Sequence, residues 1–465
     1  MSRAPKTIHS DNDTIVAVIT PPGEGGIAAL RLAGPQSRAY LARFFRPSQS
    51  DNAEPEPFLL RYGHFLSAEN EFLDEIMAVY MPHGKSYTGL EQVELFCHGG
   101  RQVVRLILDE LVAAGARTAE PGEFTKMAFL NGRIDLARAE AVAELIAANT
   151  QSSYEASREH LTGAYSEHVT RIRNEIVAVM SEIEAAIDFP EDEITPSGRT
   201  ELNTRLESLS SQIKLLIESY STGRIIKEGF RIVIAGRPNA GKSSLFNLLL
   251  KHERALVNPV PGTTRDYLSE WVDIDGIAVN LIDTAGIRER GGQVERMGQE
   301  RARAIMKLAD LVVWIADIST NNWTRVLERD ITSLDHDRIM LVGNKIDIVR
   351  STARRRKIAE YRLVPISCRT GVGVTSFEKE LSAKIWSHMP DLASGLVVTS
   401  ARHKQKLTVA RKAIRSASTK LGADESFELV AFDLGQAARA IDEIIGRVYT
   451  EEVLEHIFGK FCIGK

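Results

Sequence analysis

Short apolar runs bounded by glycine, proline or polar clusters dominate the first part of the chain and predict β-strands. These runs lie at residues 15–19, 27–32, 61–66, 76–80 and 93–97. Apolar positions at helical spacing occur at 37–45 and, more clearly, at 103–114. Residues 14–120 are therefore predicted to form a small α+β unit.

From Asp135 onward the apolar positions recur every three or four residues, and almost no strand pattern is left. Amphipathic helices are predicted at 136–148, 169–187 and 202–220, and again at 401–421, 427–445 and 450–458. Because such helices need partners for their apolar faces, the simplest topology is one helical domain that is split by an insertion. Two separate helical units are the alternative.

The inserted stretch, residues 222–388, alternates between strand and helix patterns. Strands are predicted at 231–235, 267–274, 278–282, 311–315, 339–342 and 363–366. Helical patterns lie between most of them, which is typical of an α/β sheet with at least five parallel strands.

A loop at residues 236–243, with the sequence GRPNAGKS, follows the first of these strands and precedes an apolar helix. It fits the phosphate-loop pattern G-x-x-x-x-G-K-[ST] in the strand–loop–helix context that this pattern requires. Backbone N–H groups and the helix N-terminus offer partial positive charge to phosphate oxygens. Lys242 would reach the β- and γ-phosphates, and the Ser243 hydroxyl would bind Mg²⁺. We predict a nucleoside triphosphate site.

Four more elements follow in the order of a GTPase. Thr264, in TTRD, offers a second hydroxyl for Mg²⁺, and Asp283 starts DTAG at a strand end, close to the metal. Asp347 ends NKID, and its carboxylate can accept two hydrogen bonds from guanine N1–H and N2–H₂, which adenine cannot supply. The backbone of SCR, at 367–369, offers N–H groups to guanine O6. The predicted nucleotide is GTP, and the predicted GTP-binding residues are Asn239, Ala240, Gly241, Lys242, Ser243, Ser244, Thr263, Thr264, Asp283, Thr284, Ala285, Gly286, Asn344, Lys345, Asp347, Ser367, Cys368 and Arg369.

The side chain that orients the attacking water is not in its usual place. Ras-like proteins have a glutamine after the DxxG element, whereas this chain has Ile287. Glu295 is the candidate for this catalytic role beside Lys242, and a solvated carboxylate at a helix start is the alternative. No intrinsic arginine finger is evident, although Arg265 and Arg288 are available.

Composition narrows the functional class. The chain has 465 residues, so two to four domains are expected. Its net charge of −4 argues against a protein that holds nucleic acid by bulk charge alone, so any RNA contact would be local or shared with a partner. Three scattered cysteines, at 97, 368 and 462, indicate no disulfide framework or CxxC metal site, which fits a reducing cytoplasm. No apolar run approaches the ~18 residues of a membrane span, and the polar start lacks the apolar core of a signal peptide.

These elements, with TPPG at 20–23, PGEF at 121–124, LNGR at 130–133 and FCIGK at 461–465, resemble the MnmE (TrmE) family of tRNA-modification GTPases over nearly the whole chain. Pattern and resemblance together predict a multidomain α/β and α fold. An α+β N-terminal domain that binds folate and dimerises would occupy 1–121. An all-α domain, at 122–221 and 389–465, would be split by an inserted P-loop (Ras-like) α/β GTPase domain at 222–388.

The resemblance implies a reaction. The family works with a flavin-containing partner, MnmG, to install carboxymethylaminomethyl or aminomethyl groups on C5 of the wobble uridine of tRNA. Methylenetetrahydrofolate donates the carbon, and glycine or ammonium supplies the amine. The matching folate positions are Arg31, Glu94, Arg133 and Lys465, although family members often have lysine where Arg133 stands. Cations would suit the folate carboxylates, and a carboxylate would suit the pterin N–H groups.

The resemblance also implies that the GTPase domains of a homodimer meet face to face through a K⁺ ion, which replaces the arginine finger. Asn239 is the matching side-chain ligand, with carbonyls at Asn258, Val260 and Thr263, and Asn258 joins the implied GTP site. Glu295 matches the water-orienting glutamate of the family.

Cys462 has three interpretations. It is fourth from the end, as in a prenylation box, but Gly464 and Lys465 fit that box badly. A buried structural thiol is the second interpretation. The resemblance places it near the folate and tRNA-facing centre as a catalytic thiolate, with a pKa that Lys460 and Lys465 could lower.

Two other functions compete with tRNA modification. A ribosome-assembly GTPase that switches its affinity for RNA usually carries a basic RNA-binding domain, so the acidic balance and the C-terminal motif argue against it. A folate-dependent transferase with vestigial GTP binding is disfavoured because the residues needed for GTP are all present, namely Lys242, Ser243, Thr264, Asp283 and Asp347.

Overall fold

A computed structural model of the chain describes residues 13–48, 55–188, 196–252, 254–255, 268–283, 304–332, 338–389, 396–423 and 425–465. The chain forms two compact units, one of Met1–Ala143 with Asp442–Lys465 and one of Glu144–Ile441. The predicted boundaries at 121, 221 and 388 stay predictions.

The strands, in chain order, are β1 Ile15–Val18, β2 Gly25–Ala33, β3 Phe45–Pro47, β4 Arg61–Leu66, β5 Phe72–Met81, β6 Gln92–Gly99, β7 Arg117–Thr118, β8 Phe230–Gly236, β9 Arg254–Ala255, β10 Leu268–Ile274, β11 Ile277–Asp283, β12 Leu311–Asp317, β13 Ile339–Asn344 and β14 Val364–Ile366. The helices include α1 Ser37–Phe44, α2 Arg101–Ala113, α3 Glu123–Leu130, α4 Leu136–Ala147, α5 Gln151–Thr162, α6 Ala164–Asp188, α7 Pro196–Glu228, α8 Lys242–His252, α9 Trp323–Ile331, α10 Thr352–Glu360, α11 Val374–Ser387, α12 Ala401–Gly422, α13 Phe427–Ile445 and α14 Glu451–Phe458.

The first unit contains a seven-stranded sheet in the order β3-β4-β5-β6-β2-β1-β7. Its neighbours are antiparallel except for β1 and β7. On one face Leu30 and Leu32 of β2 are buried with Leu95 of β6, and Ile107 and Leu111 of α2 pack into the same core. Burying each such side chain stabilises the fold by about 1.5–3 kcal/mol relative to leaving it exposed. The α+β unit predicted for this part of the chain is confirmed.

The C-terminal segment of the chain lies against the start of α3. Pro121 and Ile463 form a β-bridge, and the Phe124 N–H donates to the Lys465 carbonyl over 3.2 Å. Gly464 has φ +97°, and a Cβ there would lie 2.5 Å from the Val18 carbonyl oxygen. Glycine is therefore required at this position, and the PGEF and FCIGK motifs meet in space.

The second unit contains a seven-stranded sheet in the order β14-β13-β12-β8-β11-β10-β9. Five neighbouring strands, β14, β13, β12, β8 and β11, are parallel, as predicted. They are near-continuous apolar runs because both sheet faces are covered, and their core side chains include Ile232, Ile234, Leu281 and Val313. The predicted α/β sheet is confirmed.

Helices α7 and α12 run antiparallel along each other. Near one end the Ser418 hydroxyl donates to Asn203 Oδ1 over 2.7 Å. Near the other end Val398 lies beside Gly223, where a Cβ would be 2.2 Å from the Val398 carbonyl oxygen. The Val398 N–H also donates to Ser219 Oγ over 3.2 Å. The two chain segments that flank the α/β sheet therefore lie side by side.

Helix α7 leads almost directly into the sheet. It is 33 residues long and ends at Glu228, and β8 starts at Phe230. Gly229 is the single residue between them, with φ +81°, and a Cβ there would be 2.3 Å from the Trp271 ring. Only glycine fits this joint.

The spacing of apolar residues did not predict α3 and α5. Helix α5 has the polar sequence QSSYEASREHLT, with only part of one face buried, so its helical spacing is weak. A capping box was the available signal, because Thr150 Oγ1 accepts from the Ser153 N–H and Ser153 Oγ accepts from the Thr150 N–H. Helix α7 also extends beyond the predicted 202–220 at both ends.

Candidate nucleotide-binding site

The phosphate loop joins β8 to α8, and its glycines are required by close neighbours. Gly236 has φ +148°, and a Cβ there would be 2.3 Å from the Ile315 carbonyl oxygen. Gly241 has φ +106°, and a Cβ there would be 2.1 Å from Asn344 Nδ2. Asn239 lies at the exposed tip with φ +61°, a left-handed conformation that asparagine tolerates better than most residues.

Lys242 and Ser243 stand at the start of α8. Lys242 is buried, and its Nζ donates to the Arg237 carbonyl over 2.9 Å. The Ser243 hydroxyl donates to Asp283 Oδ2 over 2.9 Å, at the end of β11. A hydroxyl and a carboxylate at this distance are the hard oxygen donors that Mg²⁺ prefers.

A bidentate ion pair holds the second residue of the loop. Arg237 Nε and Nη2 donate to the two carboxylate oxygens of Asp330, on α9, over 2.6 and 2.8 Å. This hydrogen bonding raises the pKa of Arg237 above its ordinary value. Because the Arg237 carbonyl is the acceptor for Lys242, the pair also fixes the position of that lysine.

Asn344 connects three loops at the carboxyl ends of the parallel strands. Its side chain is buried, and Nδ2 donates to the Ala240 carbonyl of the phosphate loop over 2.8 Å. Its Oδ1 accepts from the N–H groups of Lys345, over 2.8 Å, and Cys368, over 3.1 Å. One amide thus ties the phosphate loop, NKID and SCR together.

The other residues of NKID and SCR lie where guanine is expected to bind. Lys345 has φ +71°, and its Nζ lies 2.6 Å from Asp317 Oδ2. Burial acts to raise the pKa of Asp317, but hydrogen bonds from Lys345 and Ser319 outweigh it and hold that pKa below its ordinary value. Arg369 Nε lies 3.8 Å from Asp347 Oδ2.

The thiol of Cys368 is neutral at physiological pH. Burial raises its pKa to about 11. In the same loop Ser367 Oγ accepts from the Thr370 N–H over 3.2 Å, which closes the turn after β14. The SCR loop therefore presents backbone groups rather than a reactive side chain.

The structure brings together the predicted residues of four motifs: the phosphate loop, Asp283, NKID and SCR. Ser244 lies exposed on the first turn of α8, beside Ser243. The other predicted residues lie outside the described part of the chain, and they are Asn258, Val260, Thr263, Thr264, Thr284, Ala285, Gly286 and Glu295. Sequence reasoning missed Arg237, Asp330 and Asp317, which act through partners distant in the chain.

A second cluster of predicted residues lies in the first unit. Arg31 and Glu94 are register partners on β2 and β6, with Arg31 Nη2 2.8 Å from Glu94 Oε1. The Arg31 guanidinium carbon lies 5.5 Å from the ring centroids of both Tyr87 and Phe124. Lys465 is adjacent through its carbonyl, which accepts from the Phe124 N–H. Cation, carboxylate and aromatic rings therefore meet at one place.

Arg133 and Cys462 complete the predicted set in this unit. Arg133 is exposed, and its Nη1 donates to the Gly84 carbonyl over 3.1 Å, at the start of the loop that carries Tyr87. Cys462 is exposed, so the interpretation as a buried structural thiol is wrong. Its carbonyl accepts from the Gly122 N–H over 3.4 Å.

Two protein-family models match the chain. The family model described as "MnmE helical domain" matches residues 136–462, and "GTP-binding protein TrmE N-terminus" matches residues 14–133. The tRNA modification GTPase MnmE of Natranaerobius thermophilus is 39% identical over 457 residues, which cover 97% of this chain and 99% of the relative. The chain belongs to the MnmE family of tRNA modification GTPases.

The MnmE protein of Carboxydothermus hydrogenoformans is 38% identical, over 97% of this chain and 99% of the relative. Among solved structures, the G domain of the T. maritima FeoB iron transporter aligns with 34% of this chain and 98% of its own, at 26% identity and a TM-score of 0.26. As an MnmE-family member the protein is a GTP-binding GTPase involved in tRNA modification, which confirms the resemblance. Among the described residues, no helix is long and apolar enough to cross a membrane.

Proposed function

We propose that the protein is the GTP-hydrolysing subunit of a complex that modifies C5 of the wobble uridine (U34) in tRNA. The complex would contain a homodimer of this chain and a flavin-containing MnmG-type partner, in the cytoplasm. The product would carry a carboxymethylaminomethyl or aminomethyl group. The observation that supports this most directly is the cluster of Arg31, Glu94, Phe124 and Lys465 in a chain that also carries the nucleotide motifs.

The cluster suits a tetrahydrofolate derivative, 5,10-methylenetetrahydrofolate. The half-buried Tyr87 ring offers a stacking surface, Glu94 can accept from pterin N–H groups, and Arg31, Arg133 and Lys465 can bind carboxylates. Glu94 Oε1 also accepts from Gln92 Nε2 over 3.1 Å, so Arg31 and Gln92 both hold this one oxygen. When bound, the folate would supply the one-carbon unit, and Cys462 is proposed as a nearby nucleophile.

In the GTPase part, Lys242 would exchange the Arg237 carbonyl for β- and γ-phosphate oxygens. The lysine ammonium is attracted by the negative charge of the phosphates, whereas the Arg237 carbonyl carries no net charge, so this exchange favours GTP binding. Ser243 and Thr264 would hold Mg²⁺, which neutralises charge on the phosphates, and Glu295 would orient the attacking water. Residues 222–388 would form this GTPase domain between the helical parts at 122–221 and 389–465.

A K⁺ site would complete the GTPase centre, with Asn239, Asn258, Val260 and Thr263 as ligands. The exposed position of Asn239 at the tip of the phosphate loop leaves its amide oxygen accessible. A fixed monovalent cation offsets charge that develops during phosphoryl transfer.

GTP turnover is therefore expected to be about tenfold or more faster in KCl than in NaCl at equal ionic strength. Asn239→Ala should abolish the difference, and Asn239→Gly should do the same without strain at a positive φ. Asn247→Ala, an exposed change on α8, is the matched control and should keep the K⁺ effect. Equal wild-type rates in the two salts would contradict the K⁺ site.

Cells that lack the protein are expected to contain wobble uridines without the C5 group. Mass analysis of tRNA nucleosides measures this directly. The wild-type chain should restore the modification, and a chain with Arg31→Ala should not, since it loses the cation that the folate cluster depends on. Normal tRNA together with immature ribosomal particles would instead support the ribosome-assembly function.

Full modification by a Cys462→Ser chain would eliminate the role of this thiol as a nucleophile.

A further inference from the structure

Helix α12 has a charge distribution unlike that of the rest of the chain. It contains seven lysine and arginine residues in 22 positions and no aspartate or glutamate, although the whole chain has a net charge of −4. Its neighbour α7 mixes both signs, with five basic and four acidic residues in 33. The basic residues of α12 are Arg402, Lys404, Lys406, Arg411, Lys412, Arg415 and Lys420.

Helix stability does not account for this pattern. Cations are unfavourable near a helix N-terminus, yet the first turn of α12 contains Arg402 and Lys404 and no acidic residue. The Ser400 side chain forms no capping hydrogen bond that would offset them. Only Lys420, in the last turn, occupies a position that the helix dipole favours, and it is paired with Asp433 over 2.7 Å.

Three of these cations are exposed and have no ion-pair partner among the described residues, namely Lys404, Lys412 and Arg415. Lys404 Nζ lies 4.6 Å from the ring centroid of Tyr220 on α7, a contact that leaves its positive charge uncompensated. A solvated helix surface normally intersperses both signs of charge, but α12 contains only positive ones.

The three side chains share one face of the helix. At about 100° per residue they fall within an arc of roughly 80°, and at about 1.5 Å per residue they span about 16 Å. Exposed Thr408 and Thr419 lie in the same arc, where their hydroxyls donate to the Lys404 and Arg415 carbonyls over 2.7 and 2.9 Å and add no charge to this face. This face is long enough to contact several phosphates of one nucleic acid strand.

We propose that this face of α12, defined by Lys404, Thr408, Lys412, Arg415 and Thr419, binds the phosphate backbone of tRNA. Lysine and arginine contacts to phosphates position a nucleic acid without reading its sequence. Folded RNA is recognised largely through its backbone and shape, which suits a straight basic helix. A membrane surface fits poorly, because Val409 is the only large apolar side chain exposed on α12. The inference deepens the proposed function by giving the tRNA a place on the protein.

The test is tRNA binding by the full-length protein over a series of salt concentrations. The triple variant Lys404→Gln, Lys412→Gln, Arg415→Gln should bind more weakly, and its slope of log affinity against log salt should be shallower by about 2 to 3. The control triple Arg355→Gln, Arg356→Gln, Lys357→Gln removes the same charge from exposed positions of α10 and should leave that slope unchanged. GTP hydrolysis without tRNA should be equal in all three proteins.

Two results would overturn the proposal. One is equal weakening of tRNA binding by both triples, and the other is unchanged tRNA binding by the α12 triple. If the α12 triple loses GTP hydrolysis, the charge-preserving triple Lys404→Arg, Lys412→Arg, Arg415→Lys serves as the second variant and should bind tRNA like the wild type. Equally effective displacement of tRNA by polyglutamate at matched charge would point to an acidic protein partner instead. Normal wobble uridines in cells that lack the protein would refute the proposed function. A shallower salt slope for the α12 triple would still support tRNA binding by this face of α12.

Discussion

Replacing Asp347 with asparagine is expected to change the preferred nucleotide from GTP to xanthosine triphosphate. The carboxylate can accept from guanine N1–H and N2–H₂, whereas the asparagine amide directs its own N–H₂ at the guanine amino group. The asparagine oxygen still accepts from N1–H, but the hydrogen bond to N2–H₂ is lost. A hydrogen bond to a charged group contributes about 1.5–3 kcal/mol, so GTP binding weakens about 10- to 100-fold, and the two opposed N–H₂ groups weaken it further. Xanthine has a carbonyl in place of the amino group and can accept from the new amide.

Titration of the variant with GTP and with xanthosine triphosphate measures the change, and hydrolysis of each nucleotide gives an independent check. Asp273→Asn is the matched control, because Asp273 lies near the end of β10, where its side chain accepts from the Gly276 N–H. It should keep wild-type affinity for both nucleotides. Unchanged GTP binding by Asp347→Asn would show that guanine is recognised elsewhere.

The second large effect is expected for Asn344→Ala, which should destabilise the GTPase part and abolish tight nucleotide binding. The change removes the partner of three backbone groups, the Ala240 carbonyl and the N–H groups of Lys345 and Cys368. Leaving buried polar groups unsatisfied costs about 1–3 kcal/mol each, and relaxation shares some of that cost, so about 2–5 kcal/mol in total is expected. Denaturant unfolding and GDP titration measure the two consequences.

Asn344→Asp separates the contribution of the hydrogen bond that Asn344 donates from that of the two it accepts. It keeps an acceptor for the Lys345 and Cys368 N–H groups but loses the donor to Ala240, so only the tie to the phosphate loop is broken. Its free energy of unfolding should fall between those of the wild type and Asn344→Ala. Asn247→Ala, exposed on α8, should change the free energy of unfolding by less than about 0.5 kcal/mol. Equal stability of Asn344→Ala and Asn247→Ala would refute the connecting role of this amide.

The sequence predicted the parallel sheet well because β8, β12 and β13 are buried on both faces, and burial leaves a continuous apolar run that sequence inspection detects. The same rule explains why α5 was missed, since its buried positions are mainly alanine, serine and histidine. Apolar spacing detects elements that bury large side chains and fails for those that bury small or polar ones.

The nucleotide motifs were predictable because each stands at the end of an apolar strand and carries side chains with a defined chemical task. The partners that hold those motifs were not. Asp330 lies 93 residues from Arg237, and Asp317 lies 28 residues from Lys345. Only the packing of α9 and β12 beside the phosphate loop and NKID brings these charges together, and no local pattern encodes that packing.

The single-residue joint at Gly229 makes α7 a lever on the phosphate-loop strand. With 33 residues at about 1.5 Å each, the helix is about 50 Å long. If β8 and α7 turned together by about 10°, the far end of the helix would swing through about 9 Å. A small rotation of the sheet on nucleotide exchange would thus be enlarged into a displacement comparable to the diameter of a helix.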